Sequence, residues 1–161
     1  NEIIRKPLNL EKVKPLVRYA GKKGIKTGIY LVLGMPGETE EQMWDSFYLA
    51  EELGIFSPFI SIATPYPGSQ LYKLCKEKGY LNDDFTLDDL YIRSFSISTD
   101  IMDSKRIKEI LAKGQRYLLF ASMRKSPLAF IGRVALRFMQ NPIVTLKKVY
   151  GIIYAKIKKV K

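Results

Sequence analysis

Apolar positions change their spacing several times along the chain, and each change marks an element. Leu10, Val13, Leu16, Val17 and Ala20 fall on one helical face, Asn9 stands where an N-cap belongs, and Gly24 suits the place just past the helix end. Pro15 lies inside this stretch and should weaken or kink the helix, because it has no N–H to give. Ile25 to Leu33 reads as a strand, apolar almost throughout from Ile29, as expected where both faces of a parallel sheet are covered. The next helix is the best signalled. Thr39 with Gln42 makes a capping box, Glu40 and Glu41 suit its positive end, Met43, Phe47, Ala50 and Leu53 line one side, and Gly54 ends it. Phe59 to Thr64 is a second strand, and Ser69 caps a short helix that stops before Gly79.

The order helix, strand, helix, strand, helix predicts an α/β fold whose strands are parallel and joined by right-handed crossovers. Two parallel strands do not make a stable sheet by themselves, since both outer edges stay unpaired and both faces need cover. The expectation is therefore a segment that completes a larger sheet or barrel. Residues 81–103, with Asp83, Asp84, Asp88, Asp89, Asp100 and Asp103, read as an irregular acidic connection, and from Ser104 onward the pattern is helical and basic. Three regions follow: 1–80, 81–103 and 104–161.

A chain of 161 residues that is 47% hydrophobic can bury one core. Its single cysteine, Cys75, excludes a disulfide framework and a multi-cysteine metal site, and suits a reducing compartment. There is no histidine, so a metal site would need carboxylates alone, and no acidic cluster has suitable spacing. The polar start Asn1-Glu2-Ile3-Ile4-Arg5-Lys6 is no signal peptide, and with no initiating Met it suggests a piece of a longer protein. The net charge of +11 is unevenly held. Residues 1–103 carry 12 Lys/Arg against 15 Asp/Glu, whereas residues 104–161 carry 15 Lys/Arg against Glu109 alone. Such asymmetry points to an anionic partner for one segment only.

Two strand-ending motifs are candidates for chemistry. In Gly34-Met35-Pro36-Gly37-Glu38 the glycines allow positive φ and close backbone approach, while Pro36 fixes the turn. The Gly-Lys-Ser/Thr ending of a phosphate loop is missing, which argues against nucleoside triphosphates. An ordinary βα turn made tight by glycine would use the same residues. Thr64-Pro65-Tyr66-Pro67-Gly68-Ser69 is a second rigid turn; at the same sheet end as the first it would wall one pocket, with Tyr66 stacking on a ligand or covering the rim.

A strand leading into Gly-Met-Pro-Gly-Glu-Thr, then a helix, then Ala-Thr-Pro-Tyr-Pro-Gly-Ser-Gln-Leu-Tyr resembles the later half of a radical S-adenosylmethionine (SAM) core. The branch it most resembles is the cobalamin-binding type, which includes enzymes similar to anaerobic magnesium-protoporphyrin ester cyclase. The opening Asn-Glu-Ile-Ile-Arg-Lys-Pro-Leu is also similar to the lead into the fourth helix of that core, so the resemblance covers about residues 1–80. It implies a partial (β/α)₆ TIM-like barrel with residues 28–34 as its fifth strand and 59–64 as its sixth. It implies SAM-adenine contacts from Val32, Leu33 and Gly34, with Pro36 and Gly37 shaping the turn. Glu38 lies one residue beyond the family's usual spacing, which favours a charge at the helix N-terminus over a direct ligand. Thr64, Pro65 and Tyr66 would sit at the barrel mouth, near SAM or substrate. The implied cofactors are SAM, a [4Fe–4S] cluster whose CxxxCxxC ligands lie outside this chain, and cobalamin on a separate domain. The complete enzyme would be cytoplasmic and would methylate, cyclise or rearrange a small, hydrophobic or lipid-like substrate. These residues alone would be inactive. The competing class is a non-catalytic membrane-surface or interaction module on a degenerate half-barrel.

The basic tail adds a third feature. Leu128-Ala129-Phe130-Ile131 and Tyr150-Gly151-Ile152-Ile153-Tyr154 alternate with Arg133, Arg137, Lys147, Lys148 and Lys156, and Asn141-Pro142 separates two helices. No uncharged apolar run approaches the roughly 18 residues needed to span a bilayer. The pattern suits helices lying in an anionic membrane interface, peripheral to the membrane, and equally helices packed on a neighbouring domain with their cations solvated. Nucleic acid fits less well, because the tail is rich in long aliphatics and poor in base-reading polar groups. A tRNA-modifying relative is disfavoured too, since Tyr66 stands where its later motif usually has arginine.

Overall fold

The computed structural model of the chain describes residues 9–82, 85–86, 95–143 and 146. Its elements are α1 (Leu10–Lys22), β1 (Tyr30–Leu33), α2 (Glu40–Glu52), β2 (Phe59–Ile62), α3 (Gln70–Lys78), α4 (Ser104–Lys125) and α5 (Pro127–Gln140). The fold is α/β, as expected, with β1 and β2 parallel and Tyr30, Leu31, Val32 and Leu33 paired with Phe59, Ile60, Ser61 and Ile62. The chain divides into two compact units, residues 1–119 and 120–161.

Helix ends fall where local chemistry puts them. Asn9 Oδ1 accepts from Lys12 N at 3.3 Å, and α1 runs on through Pro15. The α2 capping box is complete: Gln42 N donates to Thr39 Oγ1 at 3.3 Å and Thr39 N to Gln42 Oε1 at 3.0 Å. Past α2, Gly54 at φ 72° lets Ile55 N reach Ala50 O at 2.8 Å, which satisfies a carbonyl of the last turn. The strands are shorter than the apolar runs suggest. Pairing defines a strand, and the ladder spans only Tyr30–Leu33 against Phe59–Ile62.

The core of the first unit lies on one face of this ribbon. Leu33, Ile60 and Ile62 pack with Met43, Phe47 and Ala50 of α2 and with Ile107, Ile110, Leu111 and Leu118 of α4. The first four turns of α4, which the charge pattern groups with the basic tail, thus belong to the α/β core. Gly114 is where the helices come closest: a Cβ there would overlap the Phe47 ring. At the rim Arg106 bonds Glu40 of α2 at 2.7 Å, and the Tyr117 hydroxyl donates to Glu51. Lys14 and Arg18 reach Glu52 at 3.0 and 3.5 Å, linking α1 to α2.

Part of the acidic connection is ordered by hydrogen bonds. Leu81 and Ile97 form an antiparallel bridge, Asn82 N donates to Ser96 O at 3.0 Å, and Ser98 Oγ donates to Asn82 Oδ1 at 2.8 Å. Asp83, Asp84, Asp88 and Asp89 lie outside the described residues, as do the opening segment, Lys147, Lys148, Tyr150 to Tyr154 and Lys156. α5 ends one residue before Asn141-Pro142.

Candidate functional site at the strand ends

The two strands end in the same device. Met35-Pro36-Gly37-Glu38 and Tyr66-Pro67-Gly68-Ser69 are four-residue turns, closed by Glu38 N to Met35 O at 2.9 Å and Ser69 N to Tyr66 O at 3.0 Å. Each has proline second and glycine third, and both glycines sit at φ 85°, the pattern of a type II turn. Each hands the chain to a helix N-cap, Thr39 for α2 and Ser69 for α3.

The first turn is also tied back to its strand. Glu38 Oε2 accepts from the backbone N–H of Gly34 at 2.7 Å and of Met35 at 3.1 Å. Successive N–H groups of this kind form a nest that would otherwise attract an anion, so the chain's own carboxylate occupies the place of a phosphate. Burial pushes the Glu38 carboxyl above its ordinary range, and the two backbone donors pull the other way. Glu38 therefore serves the strand end, while Glu40 and Glu41 occupy the first turn of α2.

Beside these turns an open cleft of about 410 Å³ lies at the carboxyl ends of both strands. Val32 and Met35 line it from the β1 side, Ser61 to Thr64 from β2, and Tyr66, Gln70 and Leu71 from the second turn and α3. No lining residue carries a formal charge. Val32 and Ser61 are ladder partners on the ribbon face opposite the core. That face is open: Tyr30 is 79% exposed and Phe59 66%, their rings stacked 4.9 Å apart. Ile29 and Leu33 carbonyls accept from Phe59 N at 3.0 Å and Ala63 N at 2.8 Å. Alternate residues of a parallel strand bond the same neighbour, so the backbone of Val32 points to the β1 edge away from β2.

Among the residues singled out from the sequence, Val32, Thr64 and Tyr66 line the cleft. Leu33 and Gly34 are buried, and a Cβ on Gly34 would stand 3.1 Å from Ile107 of α4. Pro36 and Gly37 form the turn without lining the cleft, and Pro65 is fully buried. Thr64 Oγ1 donates to Ile62 O at 3.0 Å. Met35, Ser61, Gln70 and Leu71 line the cleft without having been singled out. Ser61 had a signal, as the polar position in an apolar strand.

The described residues do not fit an iron–sulfur cluster. No group of three or more His, Cys, Asp or Glu among them could hold a metal ion. Cys75 is buried against Ala63 and Ile97, and burial pushes its thiol up to about 11, away from the thiolate a cluster needs. The cleft itself is open and lined without formal charge at the end of a parallel ribbon.

The architecture is thus an α/β unit with an uncharged cleft at its strand ends. No family model matches the chain. It is similar to the cytidylyl-2-hydroxyethylphosphonate methyltransferase of Streptomyces wedmorensis, with 33% identity over 122 residues, which cover 71% of this chain. That stretch is 23% of the methyltransferase, so the chain spans under a quarter of the curated relative it matches.

Proposed function

We propose that this chain is the fifth- and sixth-strand portion of a radical SAM enzyme, and that its cleft is the adenine-side wall of the SAM site and part of the substrate mouth. One observation carries the reading: both Pro-Gly turns and the open ribbon face converge on one uncharged cleft at the carboxyl ends of parallel strands, where open α/β sheets bind ligands. In a (β/α)₆ barrel the open face would be the interior, with Tyr30 and Phe59 covered by strands from elsewhere in the polypeptide and Val32 and Ser61 left lining the cleft. Similarity to a methyltransferase supports the reading, since methylation is one outcome the resemblance implies.

In this assignment the chain's residues orient and shield. Val32, Met35 and Tyr66, which line the cleft, would hold the adenine. The carboxylate of Glu38 fills the strand-end nest and so disfavours phosphate there. The one-electron chemistry of a [4Fe–4S] cluster would have to come from a CxxxCxxC segment elsewhere in the polypeptide. Leu71 and Val32 keep the wall apolar and exclude water. Cobalamin would be carried by a separate domain.

The test is SAM turnover by the complete polypeptide that carries this chain, reconstituted with iron and sulfide without oxygen. Release of 5′-deoxyadenosine on reduction is expected. No turnover, in a polypeptide lacking CxxxCxxC, would overturn the assignment in favour of a non-catalytic module.

A further inference from the structure

The second unit presents a surface that the strand-end cleft does not explain. Within it, Phe130, Ile131, Val134, Phe138, Met139 and Leu146 enclose a wholly apolar groove of about 410 Å³. The surface around the groove is apolar too: Leu128 is 84% exposed and Met139 79%, with Leu136 and Ile143 also exposed. Contiguous exposed apolar surface of this extent marks an interaction site. Across residues 120–161 there are ten Lys/Arg and no Asp or Glu.

We infer that α5 forms a membrane-interface surface that lies flat on anionic lipid. The two properties complement the two layers of such a surface: the acyl boundary accepts the leucine, isoleucine, methionine and phenylalanine side chains, and anionic headgroups accept the cations. Among the described residues no helix is long and apolar enough to cross a membrane, so this helix would lie along the surface. A nucleic acid would match the charge but leave Leu128, Ile131 and Met139 against phosphate and water. A second copy of this chain would match the apolar face but bring ten further cations against ten.

The test is co-sedimentation of the whole chain with vesicles of phosphatidylcholine alone or mixed with phosphatidylglycerol. Partition onto the anionic vesicles should exceed that onto neutral ones by at least about tenfold at low salt, and should fall in high salt. The double variant Leu128→Glu/Met139→Glu changes only exposed side chains; it should keep its helical circular dichroism and lose about tenfold in partition. Leu16→Glu, an exposed change on α1, should bind as the parent does. Equal partition onto both lipids would overturn the inference, as would undiminished binding by the double variant. So would a dimer that the double variant dissolves without either form binding vesicles, or duplex RNA binding that the double variant leaves intact while vesicles are ignored.

Discussion

The two faces of the β1–β2 ribbon have opposite surroundings. On one, Leu33, Ile60 and Ile62 are sealed by α2 and α4; on the other, Tyr30, Val32, Phe59 and Ser61 stand open. Parallel sheets ordinarily have both faces covered, because crossover helices and neighbouring strands leave neither in water. The difference separates stability from function. The sealed face holds the unit together, and the open face, with the cleft at its end, is the one we propose for packing and binding.

The largest effect is expected at Phe47, the largest fully buried side chain among the described residues. Phe47→Ala should cost about 3–5 kcal/mol by denaturant melting, while Val32→Ala on the open face should stay within about 0.5 kcal/mol. Equal losses would erase the distinction between the faces. Gly114→Ala comes next. Its new methyl would run into the Phe47 ring, so α4 must shift, at about 1–3 kcal/mol of stability. A neutral outcome would mean that α4 is not seated on α2 in this way.

The smallest effect concerns the strand-end nest. Burial holds the Glu38 carboxyl above its ordinary 4.5, so the folded chain binds that proton more tightly than the unfolded chain. Stability from this group is then complete below pH 4.5 and declines as pH rises through the raised folded-state value. Both backbone donors reach the single oxygen Oε2, so Glu38→Gln can keep them without titrating. Thermal melts at stepped pH should show the wild type losing ground to Glu38→Gln as pH climbs through that window. A difference independent of pH would show that the carboxyl is not so held.

Much of the first unit was legible in the sequence because its signals are local. Asn9, the Thr39–Gln42 pair and Ser69 cap the helices they were expected to cap, and Gly24, Gly54 and Gly79 take the positive φ that ends them. Both Pro-Gly turns declare themselves in four residues. Strand length was less legible: the stretch read as a strand starts at Ile25, but the ladder starts only where Tyr30 meets Phe59. The place of α4 was obscured by charge. Lys105, Arg106, Lys108 and Lys113 drew it into the basic tail, although Ile107, Ile110, Leu111 and Leu118 carry the period of a buried face. Glu38 shows a further limit: a carboxylate beside a helix start can turn back to the strand, and only the fold of the turn decides which.

If the open face ends in a ligand wall, Val32 is the residue whose replacement should show it. In the complete polypeptide, Val32→Trp should fill the cleft from its floor without disturbing the sealed face. SAM affinity, measured by equilibrium dialysis, should fall by at least about tenfold while the melting temperature is unchanged. If the Val32→Trp variant, with its fold intact, bound SAM as tightly as the wild type does, the account would be contradicted.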